Sequence, residues 1–130
     1  MTTPFLDAAA LHNLALTAPP TSPCACGLGP CKGWESVADA RWPRVQMRQV
    51  ATLRDPEKAH GEELTFEEYH PHATRYDSPD APIAPAFFPY NRCDVFACQA
   101  CQRLLLKYTE YGGYYVDPRV RELAAKWIAI

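Results

Sequence analysis

The sequence predicts an α+β chain: a small β meander with a helix at each end, long Pro-rich loops, and clustered thiols as its staple. Three observations predict it. The last third alternates apolar and polar residues around two turn signals, Cys98-Gln-Ala-Cys101 and Gly112-Gly113. Apolar residues recur at helical spacing near both ends of the chain. All six cysteines fall in two clusters of three, Cys24, Cys26, Cys31 and Cys93, Cys98, Cys101. The 130 residues read as a single domain, 1–130. Its 13 prolines are well above the ordinary share of about 5%, so much of the backbone is irregular. A loop-rich chain of this size gains from a staple.

Taken in order, Thr3-Pro4 predicts a helix start, with Thr3 as N-cap and Pro4 in the first turn. Leu6, Ala10, Leu11 and Leu14 carry the helical period to about Thr17. The run from Ala18 to Pro23 ends it. Trp34 is expected beside the first thiol cluster. Residues 45–53 read as a bulged strand, and Leu64 to Tyr69 as a second strand pairing with it across a long loop. Pro71 to Pro89 reads as a loop anchored by Ile83, Phe87, Phe88 and Tyr90. Arg92 to Ala97 and Leu104 to Tyr108 read as two strands joined by the Cys98–Cys101 turn. Gly112-Gly113 supplies the positive φ angles of a hairpin turn, and Tyr114 to Val116 a third strand. Asp117-Pro118 then opens a helix whose buried face is Val120, Leu123, Ala124, Trp127 and Ile128.

The thiols carry the chemistry. Clustered cysteines in a reducing compartment point to Zn²⁺ rather than to disulfides. No Lys or Arg precedes Lys32, so no basic leader is legible, and no apolar run reaches the roughly 20 residues of a membrane span. A cytoplasmic, membrane-free chain is expected. Cys98-Gln-Ala-Cys101 before an apolar strand resembles the knuckle half of a zinc ribbon. The Cys24-x-Cys26 and Cys98-x-x-Cys101 pairs together resemble the zinc centre of redox-regulated bacterial chaperones, in ligand pattern alone. The expected fold is therefore zinc-ribbon-like. Its structural zinc is held by Cys24, Cys26, Cys98 and Cys101, with Cys31 the substitute ligand and Cys93 less favoured. Cys93 lies five residues before Cys98, so on a regular strand the two face opposite ways, and Cys93 reads as a small buried hydrophobe. A second site using Cys31, Cys93 and a histidine is the alternative.

Charge is unevenly spread. The net −2 conceals an acidic stretch, Asp55 to Asp80, with eight acidic residues against Lys58 and Arg75. More basic segments lie on either side. Glu62, Glu63, Glu67 and Glu68, with Tyr111 and Tyr114, are the candidate partner-binding residues, because acidic faces steer basic partners and tyrosines anchor interfaces. His70-Pro71-His72 beside Glu67 and Glu68 could also assemble a metal or acid–base site, but reads first as a polar strand end. No catalytic motif is present, so no enzymatic activity is expected. The functional expectation is a zinc-stabilised protein-interaction module, monomeric or weakly dimeric, of the inhibitor or immunity type with a basic partner. One alternative is a nucleic-acid-binding zinc ribbon using Arg103 and Lys107, disfavoured by the overall acidity. The other is a thiol redox switch that releases zinc on oxidation.

Overall fold

Leu104, Leu105 and Leu106 are consecutive and all buried, which a strand achieves when both faces of its sheet are covered. That arrangement organises the chain. A computed structural model describes residues 3–18, 27–56, 65–75 and 77–129. Its centre is a five-stranded antiparallel sheet of order β1-β5-β4-β3-β2. The strands are β1 (Glu35–Ser36), β2 (Met47–Thr52), β3 (Asp94–Cys98), β4 (Leu104–Tyr111) and β5 (Val116–Glu122). One short helix, α1 (Ala8–Ala15), and 3-10 turns at Tyr90–Arg92 and Ala125–Trp127 complete it.

One face packs Val95, Leu104, Leu106 and Tyr108 against Leu11 and Ala15 of α1, Trp34, Ile83, Tyr90 and Ile128. The other packs Leu105, Val120, Cys98 and Met47 against Leu28, Cys31, Val37 and Trp42. β2 serves both. Its register against β3 shifts between Gln49 and Ala51, and such a bulge reverses the face that later residues present. Met47 and Ala51, an even number of residues apart, therefore belong to opposite cores. The outer edge of β2 is covered by residues 4–6 through Thr52 N–H to Pro4 and Leu6 N–H to Thr52 (2.9 and 3.1 Å), which protects it from pairing with another chain.

Two arginines tie the loops to this sheet. Arg121 is fully buried, and its guanidinium donates to the carbonyls of Lys32, Pro79 and Ala81 and to the Tyr90 hydroxyl. Arg103, also buried, donates to the carbonyls of Gly29 (3.0 Å) and Pro30 (2.9 Å) and pairs with Glu122 at 3.3 Å. Glu122 takes a second cation, Lys32, at 2.9 Å. Buried charge is tolerated because most of its donors and acceptors are met, Arg103 Nε being the exception on these two guanidinium groups among the described residues. The segment from Gly29 to Lys32, with no regular structure of its own, is thereby fixed against β4 and β5.

The expected α+β, zinc-ribbon-like fold is corrected. The structure is mostly antiparallel sheet with one short helix, and among the described residues no three His, Cys, Asp or Glu are placed to hold a metal ion. The N-terminal helix begins later than Thr3-Pro4: Asp7 is the cap, accepting from Ala10 N–H at 2.9 Å, while Pro4 and Leu6 are used as a strand edge. The C-terminal helix is absent. Pro118 tolerates strand geometry because its carbonyl, taken by Val37 N–H at 2.9 Å, and its missing N–H face the side of β1, costing the β4 ladder nothing. Burial of polar Arg121 and Glu122 beside apolar Val120 then replaces a helical stripe with strand contacts on two faces. The hairpin turn sits at Gly113-Tyr114, closed by Gly112 N–H to Tyr115 (2.9 Å), and neither Gly112 nor Gly113 has positive φ. Gly112 is needed for another reason, since a Cβ there would collide with the Tyr115 ring. Residues 65–69 form no strand and do not pair with β2. Instead Asn91 and Arg92 donate to Thr65 and Phe88 N–H to Glu67.

Replacing Arg121 by Met leaves three carbonyls and a tyrosine hydroxyl short of a buried donor. Urea unfolding is expected to show a loss of about 3 kcal/mol, whereas the exposed Arg48→Met changes stability by less than about 0.5 kcal/mol.

Candidate metal centre and interaction surface

The thiols are best read through the loop that the arginines hold. Cys31 lies in the clasped segment with φ of 50°, a left-handed conformation uncommon for a residue with a Cβ. Its carbonyl accepts from Glu122 N–H at 2.7 Å. Its side chain is buried in the same apolar cluster as Cys98, and Cys101 packs against that cluster. Cys98 ends β3, donating its N–H to Arg103 (2.9 Å) and accepting from Gln102 N–H (2.8 Å). Gln102, immediately after Cys101, has φ of 67°. The β3–β4 turn thus carries Cys98 and Cys101, and the clasped loop carries Cys31 into the same apolar cluster without completing a three-ligand group among the described residues.

Cys93 takes no part. It sits in the opposite core, its thiol donating to the Pro89 carbonyl at 3.4 Å, so a second site shared by Cys31 and Cys93 is not assembled. Burial, with the Asp94 charge beside it, pushes the Cys93 thiol well up despite Arg121. Cys24 and Cys26 lie outside the described residues, as do Glu62 and Glu63. Cys26 is covalently two residues from Leu28, itself part of the thiol cluster.

The Cys31 thiol is pushed up to about 12, by burial first, then by its hydrogen bond to Glu35 Oε2 (3.3 Å) and the charges of Glu35 and Glu122, against Arg103. Without a metal it is a protonated donor. A cation among these thiols would reverse that balance, because thiolate is the ligand form. The donor set suits a soft, tetrahedral ion. Trp34, expected beside the first thiol cluster, packs instead in the opposite core against Tyr108 (4.8 Å) and Tyr90 (5.6 Å), and Trp42 covers the thiol side. Near His70, one ring nitrogen faces Glu68 and the other Thr74, each at 2.9 Å. His72 is exposed, and no three-ligand group forms among the described residues.

The second candidate surface is the β4–β5 hairpin. Tyr111 (76% exposed), Tyr114 (105%) and Val116 (63%) project from its tip. Glu67 and Glu68 are exposed too. Phe66, their neighbour, lies under the Arg92 guanidinium at 4.3 Å, and Arg92 and Tyr111 line one groove. The acidic stretch and the hairpin thus meet at Arg92. Arg103, expected at the surface, is interior. Sequence reasoning missed the structural roles of both buried arginines. The only available signal was their position among the apolar residues of adjacent strands.

In metal-free protein, iodoacetamide is expected to label the half-buried Cys101 before the buried Cys31, Cys93 and Cys98. Peptide mapping over a time course checks the order. No helix among the described residues is long and apolar enough to cross a membrane. No family model, no curated protein and no solved structure matches the chain.

Proposed function

We propose that the chain is a zinc-stapled protein-interaction module that works through its β4–β5 hairpin. The carrying observation is the apolar tip, where Tyr111, Tyr114 and Val116 stand in solvent. Large rings that a stable core does not need mark contact sites, and tyrosine is enriched at interface anchors. Rigidity supports this reading: Tyr115 folds over Gly112, and Ser36 and Arg119 hold Asp117 at the base of the hairpin (2.8 and 2.9 Å). A preordered tip loses less entropy on binding.

Zinc is proposed as the staple, with Cys98 and Cys101 as one ligand pair and Cys24 and Cys26 as the other. The support is the Cys98–Cys101 pair on one turn, beside the apolar cluster that Leu28, two residues after Cys26, joins. Four thiolates leave zinc no open position, so its role is structural. A reducing compartment, the cytoplasm, suits such a centre.

The partner chemistry follows the surface beside the tip. Among the described residues that border it, Arg54, Arg92 and Lys107 stand against the single carboxylate of Asp94, which favours an acidic partner over the basic one expected from the acidic stretch. The nucleic-acid reading loses Arg103, which is spent on Gly29, Pro30 and Glu122.

Two measurements test this function. A photo-crosslinking amino acid at position 114 is expected to give a discrete adduct in cells, lost on Tyr111→Ser. The same group at the exposed Val45 gives none, and equal labelling at both positions contradicts the reading. Zinc affinity is expected to rise at least about tenfold per pH unit between roughly pH 6 and 8, because thiolate is the ligand form and the metal must displace thiol protons. A pH-independent affinity, read by competition with a chelating dye, contradicts thiol ligation.

A further inference from the structure

β4 is longer than its neighbour. Its last pair with β3 is Asp94 with Lys107, while pairing with β5 continues to Tyr111 opposite Val116. The chain before β3 cannot extend the ladder, because it turns through the 3-10 segment Tyr90–Arg92. Tyr108 to Tyr111 therefore pair on one side only, among the described residues.

The direction of the backbone groups follows from β5. The Pro118 carbonyl points to β1, since Val37 N–H binds it, and Glu122 N–H points the same way, to Cys31. Thr109 opposite Pro118 is thus a non-hydrogen-bonded pair of the β4–β5 ladder. The N–H and C=O of Thr109 face away from β5, toward the vacated β3 side. Tyr111, two residues on, faces the same way. Two donors and two acceptors line this flank, at strand spacing.

The flank is also charged. Arg54, Arg92 and Lys107 line a groove of ≈ 370 Å³ here, with Asp94, Phe96, Thr109 and Tyr111 among its walls. Arg54 is engaged by Asp94 through two bonds of 3.0 and 3.2 Å. Lys107 adds a positive charge that no carboxylate among the described residues neutralises by a salt bridge.

We propose that the open flank of β4 at Thr109 and Tyr111 is a strand-addition site for an extended acidic segment of a partner protein. A peptide backbone alternates donors and acceptors and satisfies both kinds of group on the flank. A phosphodiester backbone offers acceptors alone and leaves the two carbonyls unmet. Alternate side chains of an added strand project to the same face, so carboxylates at every second position meet the cations that line the groove. The site rests on the interaction-module reading and names its partner class.

The test uses the full chain and a fluorescein-labelled hexapeptide, Glu-Val-Glu-Val-Glu-Val, with the Lys-Val counterpart as control. Anisotropy is expected to show the acidic peptide binding at least about tenfold more tightly. Thr109→Pro removes an N–H that β5 does not use. It is expected to leave the thermal midpoint nearly unchanged and weaken the acidic peptide about tenfold or more. Lys107→Gln weakens it about threefold or more without blocking the edge. Equal affinity for the two peptides overturns the proposal. Full binding by a Thr109→Pro chain that remains folded also overturns it. Oligothymidylate that binds more tightly than the acidic peptide and survives Thr109→Pro overturns it in favour of nucleic acid. A crosslink at position 114 that survives Thr109→Pro overturns strand addition alone and leaves the interaction module standing.

Discussion

The structure depends on two arginines that spend their charge inside the protein. Arg121 and Arg103 gather backbone carbonyls from Gly29, Pro30, Lys32, Pro79 and Ala81 and fix them to β4 and β5. These segments are rich in proline and have little regular structure, so their carbonyls have few strand or helix partners. Water cannot serve carbonyls that lie under the sheet. A guanidinium can, because it carries five donors in one rigid plane. Glu122 balances the charge on the Arg103 side, and the Tyr90 ring and hydroxyl meet Arg121 on the other.

That clasp determines what the chain can do with its cysteines. The loop it holds carries Cys31, and the strand it is held to continues from the Cys98–Cys101 turn. The clasp thus places Cys31 in the cluster of Cys98, where it is a buried, protonated thiol. The proposed zinc joins residues 24–26 to residues 98–101 and closes a loop of about 70 residues, so it acts chiefly on the entropy of the unfolded chain. The same sheet projects the opposite end of β4 into solvent with Tyr111 exposed. The proposed contact surface and the proposed staple share β4, and neither uses residues of the other.

Much of the strand plan was legible in the sequence. Residues 94–111 announce themselves by alternation and by the Cys98–Cys101 turn, and residues 45–53 read as a bulged strand, as β2 proves to be. The C-terminal helix was misread for a physical reason. Val120, Leu123, Ala124, Trp127 and Ile128 fit a helical stripe, yet the same residues also fit a strand buried on both faces followed by a turn, and periodicity alone does not separate the two. Tertiary pairing with β4 decided it. The interior arginines were illegible because charge usually marks surface. Only the carbonyls of distant loops, 40 to 89 residues away in sequence, make their burial favourable. The Cys98–Cys101 turn is visible in its spacing, whereas the place of Cys31 in the cluster of Cys98 follows from the arginine clasp, which no local motif records.

The most direct test of this account is the zinc content of purified wild-type protein and of Cys101→Ser, with X-ray absorption at the metal edge. The account predicts one zinc per chain in the wild type, with four sulfur neighbours at about 2.3 Å, and loss of that metal or an oxygen or nitrogen in its shell in Cys101→Ser. An unchanged four-sulfur centre in Cys101→Ser, or a wild-type protein that takes up no zinc with its thiols reduced, would contradict it.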